Sequence, residues 1–181
     1  GGSITDRGIV LSLRAMDRVL DIDVARRIAR VEPGALLGDV KRAIAEHGLL
    51  FAPDPTSEEE CSVGGAIACN ASGARSLAYG ATRRHIIGLT VALASGEVVT
   101  VRRPALEKNT AGMIVAQDPV DWFVGSEGIL GVVLEAELAL LPLPAFVLGL
   151  GLPFPSDAAA LAFIVAARES AAVHPRCLEF L

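Results

Sequence analysis

The chain has 181 residues, of which 52% are hydrophobic, 20% charged and 4% aromatic. That apolar fraction suffices to build the core of an ordinary domain, so a disordered chain is excluded. The formal net charge of −5 argues against a nucleic-acid partner, because such proteins gather Lys and Arg against phosphate. The three cysteines form no C-x-x-C pair and the three histidines are scattered, so we expect neither a disulfide framework nor a metal site.

Neither of the two most apolar stretches reads as a membrane span. Residues 129–155 contain two glutamates and four prolines, and residues 158–167 are too short to cross a bilayer. No secretory signal opens the chain, so we expect a cytoplasmic location, with peripheral attachment of the parent protein to the inner membrane left open. The chain has no initiating methionine and ends abruptly, from which we expect a fragment of a longer protein.

The first half of the chain predicts short strands followed by small helices. Alternating apolar residues indicate strands, and apolar residues at helical spacing with Gly48 as a stop indicate the first helix. In chain order we predict strands at 9–13, 19–23 and 28–32, a helix at 35–47, a loop at 51–60, a helix at 64–71 and a loop at 72–82.

The second half opens with a hairpin, in which Ser95 and Gly96 form the tight turn. Asp118 and Ser156 are predicted helix N-caps. We predict strands at 86–94 and 97–102, no clean period at 104–117, a helix at 119–123, a turn at 125–128, a strand at 129–141, a boundary at 142–145, a strand at 146–152, a helix at 156–172 and a strand starting at 176–180. This order is typical of an α+β fold with hairpins rather than a doubly wound sheet.

Small residues concentrate between residues 53 and 80, which predicts close approach of the backbone to a ligand. Gly64 and Gly65, at the start of a helix, are expected to present free N–H groups to a pyrophosphate or another electron-rich group. Neutral donors from Thr56, Ser57, Asn70 and Ser72 would add to them, since the region has few cations. The alternative is a tightly turning surface loop that binds nothing.

A second glycine cluster runs through Gly125, Gly128 and Gly131. It lacks the strand-before, helix-after context of a dinucleotide-binding G-x-G-x-x-G, and the alternative is simply a strand entered through a glycine turn. Residues 83–85 (Arg-Arg-His) are expected to form a solvated edge.

These motifs together resemble the FAD-linked oxidases of the vanillyl-alcohol oxidase/p-cresol methylhydroxylase superfamily, and within it the D-lactate dehydrogenase and glycolate oxidase FAD-subunit branch. The resemblance covers nearly the whole chain in order. It is carried by residues 53–57 (Pro-Asp-Pro-Thr-Ser), 64–73 (Gly-Gly-Ala-Ile-Ala-Cys-Asn-Ala-Ser-Gly), 79–80 (Tyr-Gly), 88–98 and 123–132 (Phe-Val-Gly-Ser-Glu-Gly-Ile-Leu-Gly-Val).

The resemblance implies FAD as the cofactor, bound between two α+β subdomains. The proline-rich loop and the Gly-Gly helix start would follow the pyrophosphate and flavin, residues 70–80 would close around the flavin ring and ribityl chain, and residues 125–128 would lie near the adenine. The implied cofactor-binding residues are Pro53, Asp54, Pro55, Thr56, Ser57, Gly64, Gly65, Asn70, Ser72, Gly73, Tyr79, Gly80, Glu127, Gly128 and Ile129.

The same resemblance implies how the chain divides. Residues 1–144 correspond mainly to the second subdomain of a p-cresol methylhydroxylase-type FAD-binding domain, and residues 145–181 to the start of a ferredoxin-like cap. The first subdomain, whose phosphate loop would end at Gly1 and Gly2, and most of the cap are missing. No catalytic residue is therefore assigned, and we expect the piece to hold FAD weakly and to be inactive alone.

The implied function is an FAD-dependent dehydrogenase or oxidase of a 2-hydroxy acid such as D-lactate or glycolate, with an unassigned electron acceptor. Homo-oligomerisation or membership of a larger oxidase stays open. Three alternatives also stay open: a reaction of the same fold on another substrate (a sugar or aryl alcohol, or ether-lipid synthesis), a non-catalytic binding or subunit-contact module, and a structural fragment with no function of its own.

Overall fold

The computed structural model describes residues 7–104 and 118–180. The strands are β1 (Val19–Asp23), β2 (Ile28–Val31), β3 (Leu49–Leu50), β4 (Ile86–Ala92), β5 (Val98–Arg102), β6 (Val132–Ala139) and β7 (Leu141–Pro142). The helices are α1 (Leu37–Ala45), α2 (Val63–Ala68), α3 (Ser76–Tyr79), α4 (Pro119–Phe123) and α5 (Asp157–Glu169), with a 3-10 turn at Thr82–His85.

An antiparallel five-stranded sheet in the order β1-β2-β6-β4-β5 forms the centre of the described fold. Successive side chains of a strand point to opposite faces, and β6 shows the result. Ala136 and Leu138 are fully buried in the core. On the other face, Glu135 pairs with Arg30 of β2, and Glu137 reaches across β4 to Arg102 of β5. The sheet therefore has one apolar face and one polar face.

Helix α1 covers the apolar side with Leu37, Val40 and Ile44, which are fully buried and recur at helical spacing. The helix has no side-chain N-cap. Its first amides are instead satisfied by the loop that follows β3, since the N–H of Leu37 donates to Cys61 O at 2.8 Å and that of Gly38 to Glu58 O at 3.0 Å. This fastens the proline-rich loop to the body of the domain.

Most predicted elements are confirmed, with ends shifted by a few residues. Both hairpins form with antiparallel pairing. Asp118 accepts a hydrogen bond from the N–H of Val120 at 2.9 Å, and Ser156 accepts one from Ala159 at 3.3 Å, so both predicted N-caps are present. The mixed α and β composition with an antiparallel sheet confirms the α+β class.

Three predicted strands are wrong: residues 9–13, 146–152 and 176–180 form no strand. A strand needs a neighbour to pair its backbone groups, and none of these segments pairs with a strand among the described residues. Their apolar side chains remain at the surface, Ile9 being 96% and Phe146 83% exposed. The pattern of apolar residues identified these segments as hydrophobic, but it does not show whether a strand is available to pair with them.

Two other predictions need smaller corrections. The strand predicted at 129–141 begins only at Val132, because the preceding turn extends through Leu130. The predicted loop at 72–82 contains the short helix α3 and part of the 3-10 turn. Of the segment 104–117, all but Pro104 lies outside the described residues. The division into residues 1–144 and 145–181 stays a prediction.

Candidate functional site

Helix α2 stands at the centre of the predicted cofactor residues, but its first amides are already paired. Ser62 caps the helix by accepting from the N–H of Gly65 at 3.1 Å. The N–H of Gly64 donates to Pro33 O at 2.8 Å, and that of Val63 to Ala35 O at 2.9 Å. The expectation that Gly64 and Gly65 present free N–H groups is therefore wrong.

The two glycines serve different purposes. A Cβ on Gly64 would lie 2.8 Å from Pro33 Cβ and 3.0 Å from Pro33 O, so this glycine lets α2 pack against the turn before α1. Gly65 is exposed, and a Cβ on it would have a single neighbouring atom within 4 Å, Ser62 Oγ at 3.2 Å. Gly65 therefore offers a bare, open surface rather than a hydrogen-bond donor.

The two loops that flank α2 touch each other at Asp54 and Gly73. A Cβ on Gly73 would lie 1.9 Å from Asp54 O, which leaves no room for any side chain. The Asp54 carboxylate receives Arg75 Nε at 2.8 Å and the N–H of Arg75 at 3.2 Å. Asp54, predicted as a cofactor residue, thus uses its carboxylate to join residues 53–57 to residues 70–75.

Unpaired main-chain donors occur on these loops rather than at the helix start. Within the described residues, no hydrogen bond occupies the N–H of Thr56, Ser57, Ser72 or Gly128, and all four residues are exposed. The hydroxyls of the first three also lack a partner there. By contrast, the flanking Pro53 and Pro55 are buried and anchor their loop.

The turn at 125–129 packs against the end of α2. The N–H of Gly125 donates to Ile67 O and that of Glu127 to Ala68 O, each at 2.9 Å. Gly125 and Gly128 have φ of 83° and 82°, and Glu127, an unusual residue for that region, has φ of 53°. This left-handed run is what folds the turn back onto α2.

Asn70 links the end of α2 to the segment that enters β4. It adopts a left-handed φ of 47°, which asparagine tolerates better than most residues. Its Oδ1 accepts from the N–H of Arg83 at 2.9 Å, and its Cβ lies 3.3 Å from the position a Cβ on Gly125 would take. Asn70 is therefore in contact with the 125–129 turn.

Tyr79 and Gly80 end the second loop. The backbone carbonyl of Tyr79 accepts from His85 Nε2 at 3.0 Å, and the Arg176 guanidinium lies 5.2 Å from the centre of the Tyr79 ring. His85 is buried, and this burial lowers its pKa. Gly80 has φ of 77°, a conformation suited to glycine.

The structure thus gathers the predicted residues into two groups. Residues 53–57 and 72–75 meet through Asp54 and Gly73, and Asn70 meets the 125–129 turn at the end of α2. In the described part of the chain, no hydrogen bond joins residues 53–57 directly to residues 125–129. In sequence, helix α2 lies between residues 53–57 and residues 70–75.

Sequence reasoning missed a polar network behind this site. Arg103 and Arg83 both pair with Asp121, the latter at 3.3 Å. Arg83 Nη1 also donates to the Asp121 carbonyl at 2.6 Å, and Arg103 Nε to Ile86 O at 2.7 Å. The expected solvated edge at 83–85 is therefore wrong for Arg83 and His85, and Arg84 alone is exposed.

Asp121 is the anionic centre of that network. The hydrogen bond from Arg103 is the main cause that holds the pKa of Asp121 below its usual value, with the charge of Arg103 and the contacts of Arg83 adding to it against burial. Arg103 and Asp121 are separated by 18 residues, so no local spacing in the sequence signals their contact. The network fixes α4, and with it the 125–129 turn, beside the start of β4.

The donors and charges present fit FAD. The exposed N–H and O–H groups of Thr56, Ser57 and Ser72 suit phosphate oxygens or a flavin edge, and the open backbone at Gly65 admits a planar ring. The nearby arginines Arg75 and Arg83 are engaged with Asp54 and Asp121, and Arg84, beside Gly80, is exposed. Backbone and hydroxyl dipoles, with Arg84 as the nearby exposed cation, would therefore hold the phosphates. Residues 7–104 and 118–180 contain no cluster of three potential metal ligands.

Within the same ranges, no helix is long and apolar enough to span a membrane.

Comparison with known proteins supports FAD as the cofactor. Residues 1–102 match the family described as FAD binding domain. The glycolate oxidase subunit GlcD of Bacillus subtilis is 41% identical over 140 residues, which cover 77% of this chain and 29% of that protein. A D-lactate dehydrogenase of Archaeoglobus fulgidus is 35% identical over 182 residues, covering 100% of this chain and 39% of that protein.

The fold has a solved counterpart as well. A structure of alkyldihydroxyacetonephosphate synthase superposes with a TM-score of 0.61 at 26% identity, covering 74% of this chain and 23% of that one. The chain spans between 29% and 39% of the length of the two curated relatives above. Because the family match covers more than half of the chain and includes both loops and α2, the chain belongs to the FAD binding domain family, and its cofactor is FAD.

Proposed function

We propose that the protein carrying this chain is an FAD-dependent dehydrogenase or oxidase of a small 2-hydroxy acid such as D-lactate or glycolate. One observation carries the proposal: relatives named for glycolate and for D-lactate align across 77% and 100% of this chain. Both names denote 2-hydroxy acids. Either alignment extends well beyond any single glycine motif.

When bound, FAD would supply the redox chemistry, with flavin N5 as the hydride acceptor for the substrate α-carbon. The share of this chain is binding and orientation. Thr56, Ser57 and Ser72 donate hydrogen bonds to the cofactor, and the open backbone at Gly65 lets the ring approach closely. Buried Pro53 and Pro55 keep the first loop in place.

The remaining predicted residues support the cofactor surface from the second group. In this proposal Asn70, Tyr79 and Gly80 shape the wall around the flavin, while Gly128 offers an unpaired N–H at the 125–129 turn. Glu127 and Ile129 lie exposed on the same turn. The base that takes the substrate hydroxyl proton is not assigned to this chain.

The arrangement of the parent protein is part of the proposal. Residues 1–144 would belong to the FAD domain and residues 145–181 would begin a cap over the substrate. The Bacillus subtilis relative is named as a subunit of glycolate oxidase, which supports assembly with other chains. Cytoplasmic location stays a prediction.

The test uses the full-length protein, purified and examined for flavin absorbance, then mixed anaerobically with D-lactate or glycolate. We expect a yellow protein whose visible flavin band bleaches with a 2-hydroxy acid and not with a simple alcohol of the same size. Ethanol serves as the matched control for glycolate because it carries a methyl group in place of the carboxylate. A flavin-bound protein that is reduced by neither acid would contradict the substrate class. A colourless protein that does not take up added FAD would contradict the enzyme.

A further inference from the structure

Asp54 and Arg75 form an ion pair between the two loops that carry the unpaired donors. Arg75 Nε lies 2.8 Å from Asp54 Oδ2, with side-chain exposures of 34% and 11%. The N–H of Arg75 also donates to Asp54 Oδ1 at 3.2 Å. The carboxylate therefore holds Arg75 at both its side chain and its backbone.

Among the described residues, no hydrogen bond or ion pair other than those of Asp54 with Arg75 joins residues 53–57 to residues 70–75. Gly73 lies so close to Asp54 that a Cβ on it would be 1.9 Å from Asp54 O. The first loop is fastened on its far side to α1 through the carbonyls of Glu58 and Cys61. On its near side, the Asp54–Arg75 pair sets the position of the second loop.

The placement of the unpaired donors gives the pair a role beyond stability. Thr56 and Ser57 follow Asp54 by two and three residues, and Ser72 precedes Arg75 by three. A ligand that accepts hydrogen bonds from both loops requires a fixed distance between them, since preorganised donors bind without an ordering cost. The pair lies at the point where that distance is set.

We propose that Asp54 and Arg75 are positioning residues for FAD: their ion pair clamps the loop at 53–57 to the loop at 70–75 and so aligns the donors of Thr56, Ser57 and Ser72. The inference rests on the proposed FAD binding of this site. It also changes the role of Asp54, whose carboxylate acts through Arg75 and does not contact the cofactor.

The experiment titrates FAD into apoprotein of the full-length chain and follows flavin fluorescence, with the visible circular dichroism of the bound flavin as a second readout. The variants are Arg75→Met, which removes the guanidinium, Asp54→Asn, which weakens its acceptor, and the conservative Arg75→Lys. The matched control is Arg102→Met, because Arg102 pairs with Glu137 at 2.6 Å and with comparable exposures of 39% and 27%, on the polar sheet face.

We expect Arg75→Met and Asp54→Asn to raise the FAD dissociation constant about tenfold, as the loss of a charged hydrogen bond would, and to alter the flavin dichroism. Arg75→Lys should recover part of the affinity, and Arg102→Met should bind as wild type does. If Arg75→Met does not fold, Asp54→Asn and Arg75→Lys carry the test.

The clamp is overturned if Asp54→Asn and Arg75→Lys bind FAD with wild-type affinity and dichroism. The clamp is also overturned if Arg75→Met and Asp54→Asn lose no more FAD affinity than Arg102→Met does, since the loss would then reflect general stability. Wild-type apoprotein that binds no FAD would instead remove the proposed function on which the clamp rests. The two failures are thus distinguished by the wild-type titration.

Discussion

The start of α2 and the two loops beside it are all rich in small residues, but they differ in which backbone N–H groups lack a hydrogen-bond partner. At the helix start, the amides of Val63, Gly64 and Gly65 are all paired within the fold. On the loops, the amides of Thr56 and Ser72 have no partner in the described chain. Glycine content alone therefore does not locate a binding backbone, because glycine also serves close packing.

The sharpest test of the loop contact is Gly73→Ala. Its Cβ would lie 1.9 Å from a backbone oxygen of Asp54, so the loops must separate. We expect a loss of about 3 kcal/mol or more in the free energy of unfolding, at or above the usual cost of overpacking. Urea denaturation measures it. The control is Gly149→Ala, where nothing lies within 4 Å, and an equal loss in both variants would refute the contact.

A pair of neighbouring substitutions compares the two glycines of α2 directly. Gly64→Ala would press against Pro33 Cβ at 2.8 Å, and we expect a net loss of about 1 kcal/mol after the better helix propensity of alanine is counted. Gly65→Ala meets only Ser62 Oγ at 3.2 Å, so it should be neutral or slightly stabilising. Thermal or urea unfolding measures the stability of both variants. A Gly65→Ala variant that is less stable than Gly64→Ala would contradict the packing role of Gly64.

The network behind the 125–129 turn gives a pH-dependent prediction. The folded-state pKa of Asp121 is lowered, so its stabilisation is present above the unfolded-state pKa of about 3.9 and is lost as pH falls through the folded-state value. We expect Asp121→Asn to cost about 1 to 2 kcal/mol near neutral pH and progressively less below about pH 4. Urea titrations at several pH values measure this. A difference that stays constant down to strong acid would show that the carboxylate charge is not the cause.

Gly65→Val should have the smallest effect on folding and a large one on the cofactor. A Cβ on Gly65 would meet only Ser62 Oγ at 3.2 Å, and valine has a slightly better helix propensity than glycine, so the free energy of unfolding should change by about 0.5 kcal/mol or less. A ring approaching the bare backbone would meet the new side chain, and the flavin content of the purified protein should drop. Equal flavin content in variant and wild type would count against close approach at Gly65.

These contrasts show what the sequence could and could not predict. The spacing of apolar residues and the N-cap Asp118 located both hairpins, α1 and α4, because these signals involve only residues close together in the sequence. The predicted strand at 146–152 is wrong because a strand depends on a distant pairing partner, and no strand among the described residues pairs with this segment. Local signals identify segments, whereas pairing is a property of the whole fold.

The candidate site follows the same division. The motifs marked the right stretches of chain, since Asp54 meets Gly73 and Asn70 meets Gly125 in the structure. The sequence did not distinguish free N–H donors from paired ones. The N–H groups of Gly64 and Gly65 donate to Pro33 O and Ser62 Oγ, and the spacing of the glycines does not encode these contacts. Arg75 was missed for the same reason: its partner lies 21 residues away.

Amide hydrogen exchange, with and without FAD on the full-length protein, tests most directly which backbone receives the cofactor. We predict that the amides at 56–57 and 72 exchange rapidly in apoprotein and become protected when FAD binds, while those at 63–65 are already protected and change little. New protection confined to residues 63–65, with the two loops unaffected, would contradict this prediction.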